Sequence, residues 1–125
     1  MSQNLIQRHV EQSQHNEDFL QKILAHFPNY TDWIITITFY IAVHRVQAAL
    51  LKDYNLYPDR HEHPNMRRSR NKLVQILYPA YWPSYYILYH ESRKARYVPN
   101  YHKRTKIKAI HELIINALKL FKKLP

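Results

Sequence analysis

Neither glycine nor cysteine occurs anywhere in the 125 residues. Without cysteine, disulfides, thiolate zinc sites and cysteine nucleophiles are excluded together, which fits a reducing cytoplasm. Without glycine, phosphate-cradling loops of the Walker and Rossmann types are excluded, because their backbones depend on its conformational range. Proline, asparagine and aspartate must make the turns instead. Acidic side chains are also scarce: nine Asp and Glu stand against nineteen Lys and Arg, for a net charge of +10. The opening MSQNLIQRHVEQSQ is polar and lacks the apolar stretch of a signal peptide. The longest apolar-rich run, Trp33 to Val43, has eleven residues and ends at His44 and Arg45. A bilayer crossing needs about 20, so a cytoplasmic protein with a buried core helix, and no membrane partner, is expected.

What is present suits a globular core, since 46% of the residues are apolar. A chain of this length buries roughly two-thirds of its unfolded surface as a single domain, 1–125. Apolar residues recur at helical spacing over five segments. The first runs from about Asn4 to His26 and stops before Pro28. The second, Asp32 to Tyr54, is apolar all round in its first half, with Thr31 or Asp32 as its cap. Its WIITITF stretch has strand-like composition, but Val43, Val46, Ala49 and Leu50 continue the helical period without a turn residue. Residues 55–64 read as a loop. The third helix is expected at Asn65 to Tyr78, the fourth at Ser84 to Tyr97 with Ser84 as its cap, and the fifth at Tyr101 to Leu124. The expected fold is an all-α antiparallel bundle of four to five helices.

Positive charge is concentrated in the middle of the chain. Residues 1–59 hold four basic and six acidic side chains, residues 60–108 twelve and two, and the remainder three and one. Clustered charge of this kind attracts polyanions, although it also serves as a solvated surface. In the loop DRHEHPNMRRSR, His61, Glu62 and His63 are weak metal ligands by spacing, so no metal and no cofactor is expected. His63 and Arg67, at a helix start, could instead hold phosphate. His44 is either a hydrogen-bonded core histidine or a member of a cleft beneath the basic loop. Arg96 and His102, with five residues between them, suit metal-free RNA cleavage. The imidazole would move a proton and the guanidinium would stabilise charge on phosphate. Arg8/His15 and Arg104/His111 have comparable spacing, which position alone can separate. Eleven tyrosines, seven of them between Tyr78 and Tyr101, offer either stacking platforms or packing surface.

DWIITITFYIAVHRVQAALL, then HEHPNMR, then YHESRKARY, resembles the HEPN superfamily (higher eukaryotes and prokaryotes nucleotide-binding). Trp33, Phe39, Tyr40, His44 and Ala49–Leu50 match its second helix, His63 its loop histidine and Arg96–Tyr97 a later helix end. The resemblance implies a helical bundle that homodimerises, and a metal-independent endoribonuclease or RNA-binding protein of a toxin–antitoxin or defence system. Its partners would be RNA and a nucleotidyltransferase-type antitoxin. Arg96 and His102 would be the catalytic pair, lying nearest the family's Arg-x(4–6)-His position. His63, Arg67, Arg93, Tyr97, Lys103 and Arg104 would bind phosphate along the RNA. The family's arginine is commonly followed by a polar residue, whereas Tyr97 follows Arg96. The alternative is a catalytically inactive helical interaction module that binds nucleic acid, a nucleotide or an acidic protein partner.

Overall fold

The computed structural model describes residues 2–65 and 68–124, and it is all-helical. Six helices follow in order: α1 (Ser2–His26), α2 (Thr31–Tyr54), α3 (Arg70–Leu77), α4 (Trp82–Tyr97), α5 (Tyr101–Arg104) and α6 (Ile107–Phe121). The bundle is built round α2, which packs against α1, α4, α5 and α6. A helix that is apolar on every side has to be covered on every side. Ile34, Ile35, Phe39, Val46 and Leu50 of α2 are accordingly sealed from solvent. By length and composition alone α2 is able to cross a membrane, being longer than its eleven-residue apolar run. In this fold 78% of its most apolar 18-residue window is buried inside the bundle.

Aromatic rings fill the space between α2, α4 and α6. Phe39 packs against Tyr85 at 5.5 Å between ring centroids and against Tyr89 at 5.8 Å, and Tyr85 meets Phe121 at 6.2 Å. Each such side chain contributes about 1.5–3 kcal/mol by leaving water. On α6, Ile110, Ile114, Ala117 and Phe121 form the buried stripe, at the spacing the sequence shows. Across α1 and α2 the buried hydroxyl of Ser13 accepts from Arg45 Nε at 3.0 Å, a polar pin in an otherwise apolar seam.

Two asparagines take the left-handed backbone that glycine usually fills: Asn55 at φ 54° and Asn100 at φ 65°. Asn55 closes α2, with its own N–H on Leu51 O and that of Leu56 on Leu50 O, each at 3.1 Å. Asparagine tolerates this region better than other side chains because its short amide bonds locally.

Several helix ends depart from expectation. Helix α3 begins at Arg70, not Asn65, because Ser69 caps it by accepting from Lys72 N at 3.2 Å. The preceding loop is instead held by Arg70 N on Arg60 O (2.8 Å) and Asn71 N on His61 O (2.9 Å). Neither Thr31 nor Ser84 acts as a cap. Thr31 is buried, its hydroxyl 2.9 Å from that of Thr105, and α4 starts at Trp82 with Pro83 in its first turn. The expected fifth helix is broken into α5 and α6 at Thr105, whose hydroxyl also donates to Tyr101 O at 3.1 Å. A side chain that bonds backbone locally competes with helix continuation.

Candidate functional site

Along α4 one stripe passes from core to surface. Tyr85, Tyr89 and Ser92 are buried, whereas Arg96 in the last turn is half-buried. Ser92 turns its hydroxyl back onto Tyr89 O at 2.9 Å. Arg96 Nε donates to Ser92 O at 3.2 Å, and Nη1 donates to Tyr40 Oη at 2.7 Å. Its guanidinium also lies 5.7 Å from the Tyr40 ring centroid and 5.5 Å from that of Tyr97. Cation–π contact of this kind holds a charged group while leaving its remaining donors unspent. One position round the helix, Arg93 Nη1 donates to Tyr89 Oη at 3.1 Å.

The loop before α3 delivers an imidazole to the same place. His61 is locked from several sides: its carbonyl accepts from Ser69 Oγ (3.0 Å) and Asn71 N (2.9 Å). Its ring lies 5.3 Å from Phe39 and 5.5 Å from Tyr89. Arg70 Nη1 meets His61 Nδ1 at 2.7 Å. Arginine can only donate, so Nδ1 is the acceptor and the neutral ring carries its hydrogen on Nε2. Burial holds the His61 pKa down to about 4, with Arg70, Arg96 and Arg93 pushing the same way. At neutral pH this histidine is therefore an uncharged donor.

His61, Tyr89, Arg93, Arg96 and Tyr97 line one cavity of about 390 Å³. Behind it stands Arg70, only 6% exposed, whose Nη2 also donates to Pro58 O at 3.4 Å. Among the described residues the ion pairs are Arg68–Asp59, Lys94–Glu91 and Lys122–Glu17. Arg70, Arg93 and Arg96 belong to none of them, and Glu62 attracts Arg93 without pairing with it. A buried cation with no counter-charge is costly, and arginine cannot escape by losing its proton. Such a cavity attracts an anion and repels a cation. No cluster of three or more His, Asp or Glu able to hold a metal occurs among the described residues.

Of the residues picked out from the sequence, Arg93, Arg96 and Tyr97 line the cavity together. His102 does not line it. The α5 turn buries Tyr101, whose hydroxyl donates to Glu91 at 2.9 Å, and leaves His102, Lys103 and Arg104 exposed. His63 lies in a neighbouring groove, its Nδ1 accepting from Asn65 N at 3.0 Å. Arg67 lies outside the described residues. His44 packs towards α1, with its Nδ1 2.8 Å from that of His9, while His9 Nε2 is 2.7 Å from Tyr57 Oη. Burial first, then His9 and Arg70, brings the His44 pKa down to about 4.

Sequence reasoning weighed His61 only as a weak metal ligand and gave Arg70, Tyr40 and Tyr89 no part in an arginine site. The available signal was Ser69 before Arg70: a cap there makes Arg70 the first helical residue and aims it back at the loop. No family model, curated protein or solved structure matches this chain.

Proposed function

We propose that the protein binds single-stranded RNA, with a backbone phosphate seated between Arg93, Arg96 and His61. One observation carries this reading: the guanidinium groups of Arg93 and Arg96 line one cavity with a neutral imidazole donor, Arg70 lies behind that imidazole, and none of the three is in an ion pair among the described residues. Guanidinium forks match phosphate oxygens in shape and charge. The surrounding segment, residues 60–108, has twelve basic and two acidic residues, and thus extends the attraction beyond one phosphate. The resemblance to HEPN domains runs the same way, since Arg96–Tyr97 is among the matched positions and the fold is a helical bundle.

The geometry favours gripping over cutting. A general base needs a lone pair aimed at the hydroxyl it deprotonates, and His61 spends its lone pair on Arg70. His102 stands apart from the cavity. Filter binding of a labelled RNA octamer tests the reading: wild type binds, and Arg93→Ala with Arg96→Ala weakens binding by more than tenfold. Undiminished binding by that double variant overturns it.

A further inference from the structure

A second hollow, of about 420 Å³, lies beside the first and shares Tyr89 as a wall. One side is a row of rings on α4: Trp82, Tyr86, Tyr89 and His90. Trp82 and Tyr86 are 5.3 Å apart between centroids, and Tyr86 and His90 are 4.3 Å apart. Tyr86 is 47% exposed and lines the groove, so its ring is within reach of a ligand there. The other side comes from α3, which contributes Asn71 and Gln75. Asn71 is only 7% exposed, and its amide oxygen is buried without a hydrogen-bond partner. A buried acceptor left unmet is a cost that a ligand N–H would relieve once the amide turns towards the groove.

We infer that this groove is a base subsite: it takes an unpaired RNA base, stacked on the α4 rings, whose phosphate lies in the arginine cavity. The inference rests on the phosphate reading above and adds to it what the neighbouring groove recognises. Aromatic faces suit bases because every base has a π-face, and primary amides suit their donor and acceptor edges. Volume agrees, since small-molecule sites run from about 300 to 1,000 Å³. The carboxylates of an acidic peptide could meet the arginines but offer no π-face to lay against Tyr86.

The experiment compares a labelled octamer RNA with an octamer of the same backbone lacking its bases, by filter binding. Wild type binds the complete RNA about tenfold more tightly than the abasic one. Tyr86→Ala removes most of that difference and leaves abasic binding unchanged, while Tyr86→Phe keeps the difference. If wild type binds both oligomers equally and Tyr86→Ala changes neither, the base subsite is wrong and the phosphate cavity stands. If wild type binds neither, the phosphate cavity fails and the base subsite with it. Displacement of RNA by an oligoglutamate of equal length as readily as by unlabelled RNA also overturns the base subsite.

Discussion

Arg70 donates to His61 Nδ1 at 2.7 Å, from a side chain that is almost wholly buried. The arginine thereby decides what the histidine can do. It fixes the hydrogen on Nε2, adds to burial in keeping the ring neutral, and places its own charge behind the cavity. An anion entering the cavity meets a donor and a positive field together.

The first prediction concerns the titration of His61. Nitrogen-15 NMR of the free protein should show a neutral ring with Nε2 protonated and a pKa of about 4. Adding inorganic phosphate raises that pKa, because a neighbouring anion favours the charged ring. A His61 pKa near 6.5, unmoved by phosphate, contradicts the assignment.

Acid should loosen the fold through the histidines. The folded-state pKa values of His44 and His61 are about 4, below the ordinary 6.5, so the unfolded chain binds more protons between those limits. Their stability contribution is complete above about pH 6.5 and falls away as pH drops towards 4. The His9–His44 bond adds to this, since two charged rings would both donate from Nδ1 and neither could accept. Urea unfolding should show a loss on the order of 1–2 kcal/mol per imidazole, after allowing for partial exposure. His44→Gln should flatten the profile.

At the end of α2, Asn55→Gly should keep or slightly raise stability, whereas Asn55→Ala should lower it by about 1 kcal/mol. The left-handed backbone at φ 54° penalises a Cβ that lacks asparagine's local bonding. Thermal unfolding of the three proteins measures the order.

RNA incubated with the protein in EDTA should remain intact while being bound, and His102→Ala should change affinity by less than twofold. His102 is exposed on α5 and does not line the cavity. Cleavage that disappears in His102→Ala would return that residue to the site.

The legible parts of the sequence were those set by local pattern. The all-round apolar α2, the α6 stripe and the stop before Pro28 follow from periodicity and backbone chemistry. The break at Thr105 was hidden because the contacts of its hydroxyl, with Tyr101 O and with Thr31 74 residues away in sequence, exist only in the folded chain. The site divided in the same manner. Arg93, Arg96 and Tyr97 lie within one turn of one helix, so their proximity could be read directly. His61 is held beside them by bonds from Ser69 Oγ, Asn71 N and a buried Arg70, and no spacing rule contains that register.

The most direct test is the salt dependence of RNA affinity for wild type and Arg96→Gln, with circular dichroism confirming equal helicity. The variant should bind at least tenfold more weakly and its log–log salt slope should fall by about one. Equal affinity and equal slope would mean that no phosphate sits against Arg96.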